Sequence, residues 1–137
     1  MSDAEELVRR VFDAHNRGGG DVLLDAFDDI FDPDFEFKPM TVGTFGSLER
    51  VTYRGREGME RYYRERAEAF GGGEVHIRSV EQAGGAVIVH ARSTARGRAS
   101  GATVEEEIAL VYWARDGRLV RGEVFRSGRD AREAVHA

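Results

Sequence analysis

Three stretches in the first half of the chain repeat apolar residues at intervals of three and four. The first begins near Ser2 and stops at the glycines 18–20, a second and shorter stretch covers 21–31, and a third runs from Gly55 to Phe70. This spacing places the apolar side chains of each stretch on one face of a helix. The sequence therefore predicts three helices, each with one buried face.

The second half of the chain alternates apolar and polar residues, a pattern typical of strands that are buried on one side. Four strands are predicted, at 74–83, 86–97, 103–115 and 118–126. Asp116 and Gly117 predict a tight hairpin between the last two strands, because both residues of such a turn need a positive φ. A short strand follows Pro33, and a short helix over 130–135 closes the chain. Helices followed by an antiparallel meander indicate a single α+β domain spanning 1–137.

Counting residue pairs outward from the predicted turns assigns each strand residue to one face of the sheet. The middle row of the inner face then contains Val80, Val89, Leu110 and Glu123. The flanking inner rows are Gln82, Val87, Tyr112 and Arg121; Arg78, Ala91, Ile108 and Phe125; and His76, Ser93 and Glu106. The inner face is therefore predicted to be apolar in its middle and polar at both ends. A slip of one residue between two strands would exchange the faces.

Composition and charge exclude several classes of protein. A net charge of -5 argues against a general nucleic-acid binder, which needs a basic face for the phosphates. The chain has no cysteine, and its four histidines are too scattered to predict a metal site. No apolar run is long enough to span a bilayer, and the acidic N-terminus lacks a signal core. We therefore expect a cytoplasmic protein without a membrane or nucleic-acid partner.

Two longer segments carry a resemblance to a known family. VTYRGREGMERYYRERAEAF, at 51–70, resembles the Tyr-x-Gly-x-x-Gly opening of the third helix in SnoaL-like proteins. YWARDGRLVRGEVFRSGRDAREAV, at 112–135, resembles their closing hairpin and terminal helix. These proteins belong to the nuclear transport factor 2-like superfamily, with ketosteroid isomerase and polyketide cyclases. The resemblance implies a cone, or cystatin-like roll, in which a curved antiparallel sheet wraps around the N-terminal helices and encloses an apolar pocket.

The catalytic residues of the better known relatives have no counterparts in this sequence. Leu110 stands where polyketide cyclases of the family place an acidic base, and 121–123 reads Arg-Gly-Glu instead of their Glu-His-Trp run. Ketosteroid isomerase has a catalytic Tyr on its first helix and a catalytic Asp at the end of its first strand. The corresponding positions in this chain lie near Val11 and near Lys38 or Pro39. The resemblance therefore implies that any activity uses other residues.

Glu123 is the candidate catalytic residue, because its predicted row is apolar and would suit a general acid or base. Tyr112 and Arg121 are predicted to hold a ligand oxygen or to orient the carboxylate. The alternative is that Glu123 has a structural role only, and that an ion pair with Arg121 or Arg78 compensates the burial of its charge in the core. Arg78 is accordingly a candidate ligand-binding residue too.

The remaining polar candidates have two interpretations each. His15 lies on the apolar stripe of the first helix, where it either enters the pocket or is a satisfied core histidine. Three tyrosines are predicted to line the mouth of the pocket or to pack in the core, namely Tyr53, Tyr62 and Tyr63. Ser93 and Glu106 share a row with His76, which suggests a hydrolase triad. A polar rim is the favoured interpretation of that row, because no strained nucleophile turn is present.

The outer face of the predicted sheet indicates a homodimer. Its apolar members are Ile77, Ile88, Val111, Trp113 and Val120. The helices already occupy the inner side, so these residues would form an exposed apolar patch of the kind that usually marks an interface.

Two hypotheses on function follow from the sequence. The first is a binder of a small hydrophobic ligand that acts as an isomerase, cyclase or lyase on a carbonyl compound, by acid-base chemistry without metal or organic cofactor. The second is a non-catalytic binding or dimerisation module that keeps the fold. The missing family acids favour the second hypothesis, and a buried Glu123 facing an open cavity would favour the first.

Overall fold

The computed structural model describes residues 3–39 and 51–136. The elements in chain order are α1 (Asp3–Asp25), α2 (Phe27–Ile30), β1 (Phe31–Lys38), β2 (Tyr53–Arg54), α3 (Gly55–Ala69), β3 (Phe70–Ala83), β4 (Ala86–Gly97), β5 (Thr103–Arg115), β6 (Arg118–Phe125) and α4 (Gly128–His136). Gly18 and Gly19 depart from helical geometry, so α1 consists of two helical pieces and the predicted break is confirmed. Within the described ranges, none of the helices has the length and apolar character needed to cross a membrane.

The strands form one strongly curled sheet in the order β2-β1-β6-β5-β4-β3. Successive strands from β3 to β6 pair antiparallel, as predicted, whereas β1 pairs with β6 in parallel, so the sheet is mixed. Asp116 has a φ of 53° and Gly117 a φ of 78°, the positive values of a two-residue hairpin turn. The predicted hairpin and the α+β cone are both confirmed.

The main core lies between the concave face of the sheet and the helices. Val8 of α1, Phe27 of α2, Phe35 of β1 and Val89 of β4 are almost completely buried in one apolar cluster. Burial of a side chain of this size stabilises the fold by roughly 1.5–3 kcal/mol relative to an exposed one. The helices are therefore held in the cone mainly by apolar contact.

The pairing of β5 with β6 differs from the predicted register. Ala114 still pairs with Leu119, but Trp113 pairs with Arg121, which leaves Val120 as an extra residue. This is a β-bulge, and it moves every later residue of β6 to the opposite face of the sheet. The predicted inner position of Glu123 was therefore wrong.

The bulge in β6 has a physical reason. In the predicted register, Arg121 and Glu123 would both lie in the apolar interior, where charges are costly. The bulge turns Gly122 and Val124 inward instead. Gly122 lies against the ring of Tyr112, and a Cβ atom at this position would be only 2.8 Å from Cε1 of the ring. The two charged residues consequently lie on the convex face.

A second bulge lies in β3, between Ile77 and Ser79. Ile77 occupies the position opposite Ala91 that was predicted for Arg78. Arg78 lies instead on the convex side, where its Nη2 atom is 2.8 Å from Oε1 of Glu107. The predicted inner position of Arg78 was therefore wrong, because the apolar side chain of Ile77 takes the buried place.

Helix α4 covers part of the convex face. Ala131 of this helix is completely buried and belongs to a second apolar cluster with Ile88 and Val111, both of which are fully buried. Because of the bulge in β3, Ile77 also packs against the concave core and not on the convex face. The apolar patch expected on the convex face is therefore smaller than predicted, since only Trp113 and Val120 of its five residues remain there partly exposed.

Candidate ligand-binding site

A cavity of about 200 Å³ lies between the concave face of the sheet, α1 and α3. Its lining is mainly apolar and rich in aromatic rings. The aromatic residues of the lining are Phe12, Phe31, Phe35, Phe37, Tyr62, Tyr63, Phe70 and Tyr112. The inner end is closed by completely buried rings, whereas Val104 and Glu106 at the other end are exposed. The cavity therefore opens near the turn between β4 and β5.

His15 and Tyr63 form a polar pair in the wall of this cavity. Nδ1 of His15 and the hydroxyl of Tyr63 are 3.1 Å apart and share a hydrogen bond. Nε2 of His15 is buried and has no hydrogen-bond partner among the described residues. A polar atom that is buried in this way costs free energy unless something else pairs with it. His15, a residue of the cavity lining, therefore has a buried nitrogen whose hydrogen-bonding capacity the described residues leave unused.

The protonation states of this pair are set by burial. Burial, and then the positive charge of Arg66, lower the pKa of His15 from 6.5 to about 4, so the ring is neutral at pH 7. Burial raises the pKa of the Tyr63 phenol far above its usual value, so the phenol keeps its proton. One nitrogen of a neutral imidazole donates and the other accepts. The pair can therefore exchange hydrogen bonds with a ligand without carrying charge.

Two local features hold His15 in place. The side chain of its neighbour Asn16 donates from Nδ2 to the carbonyl oxygen of Val75 at 2.7 Å and accepts at Oδ1 from the Val75 amide at 2.8 Å. Gly20 lets the ring of Tyr63 approach the backbone, since a Cβ atom there would be 2.6 Å from Cγ of the ring. The glycine run predicted as a helix stop thus also makes room for the tyrosine.

Arg66 of α3 is the one arginine among the described residues that line the cavity. Its guanidinium lies over the ring of Phe70, with Cζ 5.4 Å from the ring centroid. Such stacking positions a guanidinium while its N–H groups at the edge stay free to donate. Arg66 therefore adds a fixed positive charge to the same wall as His15.

The rim of the cavity is polar, as predicted, but it contains only part of the predicted row. Ser93 and Glu106 are register partners on β4 and β5, and both line the cavity. His76 points away, because the bulge in β3 exchanges the faces there, and its Nε2 atom lies 2.9 Å from Oε2 of Glu74. No group of three metal-ligating side chains occurs in the part of the chain that the structure describes. The rim is therefore not a catalytic triad.

Two of the predicted site residues line the cavity, namely His15 and Tyr112. The ring of Tyr112 packs edge-on against Phe12 with centroids 6.2 Å apart, and burial raises the pKa of its phenol well above the usual range. Arg78, Arg121, Glu123 and Tyr53 are not among the lining residues. The predicted site residues therefore do not form one site, since two of them line the cavity and the other four do not.

Glu123 is buried on the convex side between two cations. Its carboxylate lies 3.6 Å from Nζ of Lys38 and 3.8 Å from Nη2 of Arg121. Arg121 also stacks on the indole of Trp113, with Cζ 3.9 Å from the ring centroid, although its Nε atom has no hydrogen-bond partner among the described residues. This arrangement agrees with the structural alternative, in which an ion pair with an arginine compensates the buried charge of Glu123.

Tyr53 lies in the core next to α3. Its hydroxyl donates to Oε2 of Glu65, and the guanidinium of Arg61 lies 4.6 Å from its ring centroid. Burial and the hydrogen bond to Glu65 raise the pKa of the Tyr53 phenol to about 12. Tyr53 therefore holds the start of α3 and does not reach the mouth of the cavity.

Sequence reasoning did not select Arg66 as a site residue, and it considered Tyr63 only as one of three tyrosines that either line the mouth of the pocket or pack in the core. The apolar stripe predicted for α3 contains Tyr62 or Tyr63 and then Arg66 or Ala67, and the favoured interpretation of the two tyrosines is core packing. The signal that could have found them is an arginine on a helix face that is otherwise apolar, since a charge there needs a partner.

The sequence model of the SnoaL-like domain matches residues 8–122, which is most of the chain. The chain belongs to the SnoaL-like domain family. This match includes all of the first segment on which the resemblance was based, 51–70, and covers the second, 112–135, as far as residue 122. Among curated proteins, none matches the sequence of this SnoaL-like chain.

Solved structures similar to this SnoaL-like protein cover nearly its whole length. A nuclear transport factor 2-like protein of unknown function from Burkholderia pseudomallei K96243 is 17% identical, covers 100% of both chains and superposes with a TM-score of 0.76. TerC, co-crystallized with polyporic acid, is 18% identical over 99% of this chain and 100% of TerC, with a TM-score of 0.75. A putative SnoaL-like polyketide cyclase from Jannaschia sp. CCS1 is 22% identical over 98% and 92%, with a TM-score of 0.72. At these identities the likeness shows the fold alone.

Proposed function

We propose that this SnoaL-like protein binds a small, mostly apolar molecule that carries a polar group next to His15. The observation that carries the proposal is the buried Nε2 atom of His15, which has no partner among the described residues of an otherwise apolar cavity. Apolar pockets with a few convergent polar groups are the usual form of small-molecule sites. A ligand with an oxygen at this position would gain both apolar contact and a hydrogen bond.

The structural relatives support this proposal in general terms. One is described as a putative SnoaL-like polyketide cyclase, and TerC was crystallised with polyporic acid. The fold hosts several activities, so the ligand of this chain follows from its own cavity and not from the relatives.

Binding is best tested with an uncharged apolar dye, N-phenyl-1-naphthylamine, whose fluorescence rises in apolar surroundings. Ala95 lines the mouth of the cavity and Ala102 lies outside it in the next turn. We expect Ala95→Trp to weaken binding of the dye by about tenfold, because the indole fills the entrance, a loss of roughly 1.4 kcal/mol. Ala102→Trp is the matched control and should bind the dye like the unmodified protein. Equal binding by both variants would contradict the proposed site.

A second candidate function is acid-base catalysis on a carbonyl compound, of the isomerase, cyclase or lyase class and without a cofactor. It is favoured by the neutral imidazole of His15, whose pKa of about 4 is compatible with a weak general base, hydrogen-bonded to a protonated Tyr63. Among the described lining residues the only carboxylate is Glu106, at the exposed rim. Histidine is therefore the better placed base.

This second candidate can be distinguished from a non-catalytic binding module by proton exchange. The protein is incubated with 1-tetralone in deuterium oxide, and loss of the protons next to the carbonyl is followed by nuclear magnetic resonance. An enzyme of this class accelerates the exchange, and His15→Gln removes the acceleration while the ketone still binds. Binding of the ketone without faster exchange would favour the non-catalytic module.

The homodimer remains part of the proposal, with a smaller interface than the sequence indicated. The part of the convex face that α4 leaves open includes Trp113 and Val120, both only partly buried. We expect light scattering at micromolar concentration to give the mass of two chains. The mass of one chain would contradict the dimer.

A further inference from the structure

Arg66 lies at the junction of two concave regions of the protein. One is the apolar cavity, and the other is a more polar cleft between α1, α3 and the start of β3. The cavity and the cleft share four lining residues, His15, Tyr63, Arg66 and Phe70. The wall between the two regions is therefore only one side chain thick. A ligand group at the inner side of the wall would therefore lie next to the guanidinium.

Arg66, like the exposed Arg64, has no carboxylate partner among the described residues, unlike Arg56 and Arg61 of the same helix. Arg56 lies 3.5 Å from Glu60 and Arg61 lies 3.6 Å from Glu65, each in a pair one helical turn apart. No carboxylate oxygen of the described residues lies within 4.0 Å of the Arg66 guanidinium. Its contacts are the ring of Phe70 and the edge of the sheet at Gly73, where an added Cβ would be 3.2 Å from Nη2.

The polar groups around Arg66 inside the cavity favour an anion. His15 is neutral and Tyr63 keeps its proton, so neither supplies a negative charge. Glu106 lies at the exposed rim, where water screens it. A guanidinium that is partly withdrawn from water gains most from a bidentate oxyanion, since hydrogen bonds between charged groups are about twice as strong as neutral ones.

We propose that the ligand of this protein carries an acidic oxygen group, a carboxylate or an acidic enol, which Arg66 binds where the apolar cavity meets the polar cleft. The inference rests on the proposed function, since it requires the ligand to occupy the cavity. It adds the chemical class of the ligand: an apolar ring system with one anionic group at its edge.

The test compares two probes of the same shape, 2-naphthoate and 2-naphthamide, which differ in charge but hardly in size. Binding is measured by isothermal titration calorimetry with the unmodified protein, Arg66→Gln and Arg64→Gln. Arg64 lines only the cleft and is exposed, so Arg64→Gln removes a charge from the same helix without touching the cavity. Thermal unfolding of each variant verifies that it folds.

We expect the unmodified protein to bind the naphthoate about tenfold more tightly than the amide. Arg66→Gln should abolish this preference while binding of the amide changes less than about twofold, and Arg64→Gln should keep the preference. Arg66→Lys should retain part of it, because the charge stays while the planar fork is lost.

Equal binding of the two probes by the unmodified protein, or a preference that survives Arg66→Gln, would overturn the assignment of Arg66 but leave the proposed cavity intact. If neither probe binds and N-phenyl-1-naphthylamine does not bind either, the proposed function itself is contradicted, and the assignment of Arg66 falls with it.

Discussion

The two faces of the sheet differ in the surroundings of their buried acid-base groups, Glu123 and His15, although Nε of Arg121 on the convex face also has no hydrogen-bond partner among the described residues. On the convex face, Glu123 is only 7% exposed and its carboxylate lies between Lys38 and Arg121. On the concave side, His15 has a buried nitrogen without a partner, and the Arg66 guanidinium has no carboxylate oxygen within 4.0 Å, in both cases among the described residues. Burial alone therefore does not identify a binding residue. What distinguishes Glu123 from His15 is that charged side chains of the protein already pair with the carboxylate, whereas no described residue pairs with Nε2 of the imidazole.

The largest effect is expected at Gly122, where the concave face of β6 packs against aromatic rings. A side chain there would meet the ring of Tyr112 at 2.8 Å and Cζ of Phe35 at 3.2 Å. We expect Gly122→Val to lower the free energy of unfolding by about 3 kcal/mol, because overpacking a core forces rings from their positions. Gly85→Val is the control, since a Cβ atom at Gly85 has nothing within 4 Å. Urea denaturation of both variants gives the comparison, and equal losses would contradict close packing at Gly122.

A smaller effect is expected from the titration of His15. Its pKa of about 4 in the folded protein lies below the value of 6.5 expected for an unfolded chain. The folded state thus binds this proton less readily, so the stabilisation is complete above pH 6.5 and is lost as the pH falls toward 4. Between pH 7 and pH 5 the loss is about 2 kcal/mol.

His15→Gln should remove that part of the acid sensitivity. The free energy of unfolding, measured by urea denaturation at pH 7 and pH 5, should fall about 2 kcal/mol less in the variant than in the unmodified protein. All other titrating groups are common to the two proteins and cancel in the difference. Parallel pH dependences would mean that the imidazole of His15 is not protected from protons.

Glu123→Gln tests the convex side of the comparison. The substitution keeps the shape and removes the charge, leaving Lys38 and Arg121 without their carboxylate. Because these two side chains are 34% and 44% exposed, water still solvates them, and we expect a loss of roughly 1–2 kcal/mol, less than for a fully buried pair. Binding of N-phenyl-1-naphthylamine should not change. Weaker binding of the dye would place Glu123 in the site after all.

Arg78→Gln should have the smallest effect. The ion pair of Arg78 with Glu107 is more than half exposed at both ends. Exposed pairs of this kind contribute about 0–1 kcal/mol. We expect a change in unfolding free energy below about 0.5 kcal/mol and unchanged binding of 2-naphthoate. Loss of naphthoate binding would show that Arg78 contacts the ligand, as first predicted from the sequence.

The features that depend on local sequence were predictable. Asp116 and Gly117 specify their turn within two residues, and the helices follow from repeated apolar spacing. The face of each residue in β6 was not predictable in this way, because one extra residue at Val120 reverses every later position. The available signal was the cost of placing Arg121 and Glu123 in an apolar row, which a bulge removes. The pairing of His15 with Tyr63 joins residues that are 48 positions apart, so no local pattern contains it.

The clamp between Asn16 and Val75 has a consequence for the outer border of the sheet. β3 is the last strand in the sheet order, so one side of its backbone has no neighbouring strand in the part of the chain that the structure describes. The carboxamide of Asn16 donates to the carbonyl and accepts from the amide of the same residue, as the peptide groups of a neighbouring strand would. The unpaired backbone groups of an edge strand can pair with a strand of another chain, which leads to aggregation. At Val75 a helix side chain occupies that place, so the residue that holds α1 against the sheet also protects the protein from self-association along β3.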